Sequence, residues 1–205
     1  MSTRIADLDP GGAPLLGEPL PVELANTRYA VRGTPHEGLA EPAHLAAWLR
    51  DIAPRLGNPP SEAALLAVDA RDLARALDLR DCVGALLTAA LTDTTPAADT
   101  VERLNTYTRA APRWRELTWP TAVTRTEADP ITAVLAELAG ATVDLLTGAD
   151  RTELRACHGP GCVLHFVRNN PRREWCSAGC GNRARVARHY RRTKNPPGSR
   201  PSTDG

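Results

Sequence analysis

The chain has 205 residues, 42% of them hydrophobic and 24% charged, with a formal net charge of +1. This length and apolar content exclude global disorder and fit one or two small domains. The near-neutral total excludes nothing about nucleic acid, because the charge is divided: residues 1–150 hold 13 Arg against 21 acidic residues, net −8, while residues 151–200 hold 12 Arg and Lys against 2 Glu, net +10.

Alanine dominates the first part, with 29 of the 33 alanines in residues 1–150, which favours helices of modest girth. No apolar stretch approaches the length of a membrane span. The first twenty residues are polar, acidic and rich in Gly and Pro, unlike a secretory signal. The expectation is a cytoplasmic protein whose five cysteines sit in a reducing compartment.

Residues 1–19 read as a flexible lead. Residues 20–29 carry a weak apolar rhythm that fits a short strand or a helix start, and Asn26 and Thr27 there are expected to fix a turn through side-chain bonds. Residues 33–38 read as a loop. Glu41 and Pro42 open a helix, with Leu45, Trp48 and Leu49 as its stripe. Residues 61–91 are almost continuously helical, with a break expected near 79–81. Cys82 lies in an apolar helical context and reads as a buried, inert thiol. Asp99 to Glu102 have the form of a capping box before the next helix. Residues 113–126 alternate Thr, Val and Trp about Pro120 and predict two short strands. Asp129 and Pro130 start a last helix that Gly148 closes. Residues 20–150 are therefore expected to form a mainly α domain with a small β element. Its acids are spread along helix faces, and His36 and His44 have no partnered cysteines, so an enzyme is not expected.

Residues 151–194 differ in kind. Cys157 and Cys162 enclose four residues, thirteen follow, and Cys176 and Cys180 enclose three. Four thiolates complete a tetrahedral zinc shell at about 2.3 Å each and leave no open position, so one structural Zn2+ is expected. An iron–sulfur centre, disulfides or no metal are the alternatives. The gap suggests a hairpin of residues 163–167 against 172–175, turning at 168–171. Ser177 is placed to cap the helix that follows, with Cys180 in its first turn. Knuckle, β-hairpin and ligand-bearing helix together make a treble-clef-like zinc finger. His165 lies beside the ligands rather than among them. Residues 195–205 read as a disordered tail.

The run EWCSAGCGNRARVARHYRR resembles the CGNR-type zinc finger, named for Cys180, Gly181, Asn182 and Arg183, and RACHGPGCVLHF matches its first pair. Many members carry four residues inside the second pair; this chain carries three. Upstream, GEPLPVELANTR, LAEPAHLAAWL and TVDLLTG resemble the Ala-rich ABATE domain that precedes this finger. The resemblance implies a bacterial transcription regulator with a DNA-binding finger, in which Cys157, Cys162, Cys176 and Cys180 hold zinc.

The basic helix supplies the candidate nucleic-acid residues Arg183, Arg185, Arg188, Arg191, Arg192 and Lys194, joined by Arg172 and Arg173 from the hairpin. Arginines on one helix face neutralise phosphates or reach guanine edges. A solvated face, or docking against the acidic domain, is the competing reading. Val186, Ala187 and Tyr190 are expected to pack on the hairpin, Trp175 to lie in the core, and Asn182 to bond the knuckle backbone. Arg183 offsets metal-site charge in the alternative to a DNA role. The expected partners are DNA, a second copy or another protein, and a small ligand for the amino-terminal domain, with the chain associated with the nucleoid if it binds DNA. The alternative function is a zinc-stabilised protein-interaction or ligand-sensing module without DNA contact.

Overall fold

The computed structural model describes residues 12–31 and 33–194, except the side chains of Arg192 and Lys194. Residues 1–11 and 195–205, read above as lead and tail, lie outside the described residues. The rest of the expected lead is not loose: Ala13 and Leu15 pack on the main core and Leu16 on a second one. The cause is the fully buried Glu23, whose carboxylate accepts the N–H groups of Leu16 (3.0 Å) and Glu18 (2.7 Å) and so ties that segment down. Burial pushes the Glu23 carboxyl above its ordinary value despite these bonds and the nearby Arg55.

The ambiguous rhythm of residues 20–29 resolves into both options in turn. Helix α1 (Leu20–Ala25) is followed by strand β1 (Arg28–Val31). The expected loop is strand β2 (Thr34–Glu37), paired antiparallel with β1 across a turn at Gly33, whose φ is +87°. Stacking of Tyr29 on His36, with centroids 5.3 Å apart, supports a pairing that propensity alone does not predict. Helix α2 (Pro42–Ile52) begins at its expected proline and buries Leu45, Trp48 and Leu49.

Helices α3 (Glu62–Leu66) and α4 (Ala70–Leu91) replace the near-continuous helix. The break falls before Ala70, not at 79–81. There Asp69 accepts the N–H groups of Arg71 and Asp72 and forms a capping box with Asp72. Across residues 79–81 α4 runs on, and Arg80, 3% exposed, turns inward to a forked pair with Glu37. Helix α5 (Ala98–Arg109) starts one residue before Asp99. Its helix-favouring alanines extend the first turn upstream, so Asp99 accepts the N–H and hydroxyl of its neighbour Thr100 and caps nothing.

Strands β3 (Trp114–Thr118) and β4 (Thr121–Arg125) form the expected hairpin, with a cis Trp119–Pro120 bond in the turn. No residue of either strand is buried. Helix α6 (Pro130–Thr147) opens as expected, with the Asp129 carboxylate accepting the Thr132 N–H at 2.9 Å. By length and composition α6 could cross a membrane, but 56% of it is buried inside the fold, where it packs on α1, α4 and α5. It is the central helix of a core that includes Val22, Leu49, Leu79, Leu87, Val134 and Leu138. Each fully buried leucine there contributes about 1.5–3 kcal/mol.

This core does not stop at the finger. Leu154 and Val167, from strands β5 (Leu154–Ala156) and β6 (His165–Val167), belong to it. Conversely, Tyr29, Leu16 and Val31 complete the second core around the four cysteines. The two regions share their interiors.

Candidate metal centre and the basic helix

Strands β5 and β6 form an antiparallel hairpin, Leu154 opposite Val167 and Ala156 opposite His165. The first cysteine pair sits in the loop between them. This corrects the expected pairing of 163–167 with 172–175. The partner strand instead precedes Cys157, although the loop it closes is wider than the expected turn; on the other side Pro171 has no N–H for a ladder and the Arg173 side chain takes the Val167 carbonyl. The knuckle turns tightly: the Cys162 N–H donates to the Gly159 carbonyl at 2.8 Å, and Gly161 has φ +69°. A Cβ on Gly159 would lie 2.9 Å from the Cys180 Cβ and 3.2 Å from its Sγ, so only glycine lets the two halves of the site close.

The second pair lies at the start of α7 (Ala178–Lys194). The Ser177 hydroxyl accepts the Cys180 N–H at 3.3 Å, placing Cys180 in the first turn. All four Sγ atoms lie within 4.8 Å of one another; Cys162 to Cys176 is 3.8 Å and Cys176 to Cys180 is 3.4 Å. A tetrahedral ion with ligands at 2.3 Å has edges of about 3.8 Å, so the donor set fits a single Zn2+ with no position left open. Three of the cysteines are buried and Cys162 is half-buried. Without a metal the thiols compete for one proton network. Hydrogen bonds from Cys162, Cys176 and Cys180 lower the Cys157 pKa, whereas Cys176 is raised by its bond to Cys157 and by its other cysteine neighbours. A Zn2+ held by Cys157, Cys162, Cys176 and Cys180 would end that competition by displacing the thiol protons, leaving a negatively charged shell.

Two hydrogen bonds to sulfur further offset the negative shell: the Cys176 N–H to the Cys157 Sγ at 3.5 Å and the Arg183 guanidinium to the Cys180 Sγ at 3.0 Å. Arg183 is thus engaged with the metal site. Trp175 packs edge-on against Gly181, where a Cβ would come within 2.9 Å of the indole Cδ1. Gly181 is therefore required by the ring beside it. Asn182 is exposed and does not bond the knuckle backbone. His165 is half-buried, outside the ligand group, and burial lowers its imidazole pKa.

Arg173 departs most from the nucleic-acid reading. Its guanidinium reaches the carbonyls of Val167 (3.1 Å), Trp175 (3.3 Å) and Cys176 (3.0 Å), sits 4.8 Å over the Phe166 ring, and pairs with the Glu18 carboxylate. It ties the irregular segment 168–175 into the fold and is not a free surface charge. Glu18, 2% exposed, also accepts the Val167 N–H at 2.9 Å. Nearby, the fully buried Asn26 mimics a strand neighbour: its Oδ1 accepts the His165 N–H at 2.8 Å and its Nδ2 donates to the His165 carbonyl at 2.9 Å. Thr27 makes the expected local bond, to the Leu24 carbonyl at 2.8 Å.

Glu18 and Tyr29 were not among the sequence-derived site residues. Glu18 falls in the segment read as lead and Tyr29 in the ambiguous stretch 20–29, and neither has a sequence signal for its role.

Helix α7 buries only its first turns, at Cys180, Gly181 and Ala184. Beyond them Val186 is 48% exposed and Tyr190 63% exposed, so the expected packing on the hairpin does not occur. That hairpin face is already covered by Tyr29, Leu16 and Val31. Arg172, Arg185, Arg188 and Arg191 are exposed. The side chains of Arg192 and Lys194 lie outside the described residues.

A family model described as "Putative stress-induced transcription regulator", ABATE, matches residues 18–149, and the CGNR zinc finger matches residues 153–193. No curated protein matches the chain. Both matched families are regulatory or zinc-finger in nature rather than catalytic. With more than half its length in the first match and all four cysteines in the second, the chain belongs to the ABATE family and carries a CGNR zinc finger.

Proposed function

We propose that the chain is a DNA-binding regulator in which the metal centre aims α7 at a duplex. The observation that carries this reading is the free half of α7, where Arg185, Arg188 and Arg191 are exposed and, among the described residues, none is in an ion pair. Docking on the acidic domain would have covered them. Arg172 is exposed just before the second cysteine pair and adds a fourth cation. Cys180 and the Ser177 cap hold the first turn of α7, so the direction of the helix depends on the metal. Arg173 and Arg183 contribute through the finger's own structure.

The test is fluorescence anisotropy with a random duplex across a salt series. Each phosphate contact contributes about 0.9 to the slope of log affinity against log salt. The double variant Arg185→Ala, Arg188→Ala should lower that slope by about 1.8 while zinc content stays unchanged. Binding that does not weaken with salt overturns the reading.

A second reading has its own observation. Val186 and Tyr190, one turn apart, present apolar surface that phosphate contact does not use. A protein partner on α7 would lose binding on Val186→Asp, with the DNA salt slope intact. For the amino-terminal domain we propose a sensing role. A groove of about 500 Å³ between α4 and α5, lined by Arg75, Asp78, Arg103 and Tyr107, gives a small ligand room.

A further inference from the structure

We propose that the cleft between α4 and the metal knuckle binds a small neutral molecule, an apolar body carrying an acceptor oxygen, which bridges the first domain and the finger. The inference rests neither on the DNA reading nor on the α4–α5 groove.

The cleft holds about 300 Å³. One wall is α4, flanked by Ala25 and Arg28; the other is Val163 and His165, in the segment that leaves Cys162. Small-molecule sites favour such boundaries, where apolar walls carry a few converging polar groups. The α4 wall is hollowed at Gly84. Glycine weakens a helix interior relative to alanine, yet a Cβ on Gly84 would meet no neighbouring atom within 4 Å. Nothing in the fold requires a missing side chain there, and the space it leaves is the floor of the cleft. On the finger side, Val163 is 54% exposed and belongs to neither core.

Charge selects a neutral occupant. Arg28 pairs with Asp81 at 3.2 Å, and the buried Arg80 is spent on Glu37 and on the Thr27 hydroxyl at 3.3 Å. The cleft's charges therefore cancel within it, and a charged ligand would have to break one of these pairs or go unpaired.

Polarity remains after the charges cancel. The imidazole of His165 is half-buried, kept neutral by that burial, and bonds to nothing among the described residues. Its backbone, not its ring, meets Asn26. A neutral imidazole offers one donor and one acceptor. The Nε–H of Arg80 in the back wall also lacks a hydrogen bond, with Asp81 3.6 Å away, and adds positive potential without free charge. An oxygen on the occupant satisfies His165 while its apolar body covers Gly84, Ala85 and Val163. Because the cleft exists only while the knuckle is closed, such an occupant slows metal release by mass action.

The experiment is an NMR titration of the full zinc-loaded chain with benzamide, and with benzoate and benzylamine as its charged counterparts. Benzamide should shift the backbone signals of Ala25, Gly84 and Val163 and saturate in the millimolar range; the charged pair should bind at least about tenfold more weakly. Gly84→Leu fills the floor with a good helix former and should abolish these shifts. His165→Phe keeps a ring but no nitrogen and should weaken benzamide at least about fivefold. Circular dichroism and zinc content should match wild type in both variants. With benzamide at ten times its midpoint, zinc transfer to a chelator should slow about tenfold in the wild type and not at all in Gly84→Leu. Shifts that are absent or centre on Tyr107 overturn the proposal. So do a Gly84→Leu variant that binds like wild type, equal binding of benzoate or benzylamine, and zinc transfer indifferent to benzamide.

Discussion

Replacing Arg173 tests whether this arginine belongs to the fold or to a DNA surface. The Arg173→Ala variant removes the cationic partner of Glu18, which is 2% exposed, and three donors to the carbonyls of Val167, Trp175 and Cys176. Breaking a buried pair by deleting one partner costs about 3–5 kcal/mol, because the remaining charge is stranded. The Arg173 side chain is 21% exposed, so water partly replaces it and the lower end applies, about 3 kcal/mol. That is a large fraction of a typical stability of about 5–15 kcal/mol. For a chain of this size it lowers Tm by roughly 6–12 °C. Arg173→Lys keeps a charge for Glu18 but cannot reach three carbonyls at once, so it should lose about half as much. Calorimetry of the zinc-loaded protein reads the melting shift, and zinc release to a chelator should accelerate, because Cys176 loses its anchored carbonyl. The reasoning is refuted if Arg173→Ala melts with wild type while weakening DNA binding as much as Arg188→Ala. Arg173 would then be a surface contact after all.

Three further outcomes follow from the same geometry. Asn26→Ala removes both bonds to the His165 backbone, and Asn26→Asp sets a carboxylate against the His165 carbonyl; thermal melts should show a loss of about 1–3 kcal/mol for the first and more for the second, and equal stabilities would discredit the seam. Gly159→Ala forces a Cβ onto Cys180 and should weaken zinc binding at least about tenfold in chelator competition, more than Gly181→Ala, which displaces only the Trp175 ring; the reverse order would count against the site as described. The Glu37 carboxyl is pushed up by burial, but bonds from Arg80 and the Leu39 N–H outweigh this and leave it below its ordinary 4.5. Its contribution is complete above the unfolded value and is lost as pH falls through the folded one. Denaturation across a pH series should therefore give Glu37→Gln a flatter acid limb than wild type, and parallel limbs would refute the pairing.

Much of the candidate site is local chemistry and is legible in the linear chain. The spacing of Cys157, Cys162, Cys176 and Cys180 brings one ion's ligands together, and the Ser177 cap acts over three residues. Helix starts at Pro42 and Pro130 are equally local, since each depends on a proline's missing N–H, with the Asp129 cap added at the second. The breaks were harder. Residues 79–81 look like an interruption until Glu37, 43 residues away, is seen to accept Arg80. Arg173 carries the same charge as Arg185, and no neighbour in sequence distinguishes the bound one from the free one.

The identity of the metal ligands, the helical character of the first domain and the opposed charges of its two regions thus follow from residue order, because spacing, periodicity and composition act over a few positions. The seam between the regions comes from tertiary structure. Glu18 meets Arg173 across 155 residues, and Asn26 meets His165 across 139. Which buried donor finds which acceptor is decided only when the helices pack. The same packing leaves α7 and the β3–β4 hairpin uncovered, because the cores that might have received them are already filled by Leu154, Val167, Tyr29 and Leu16.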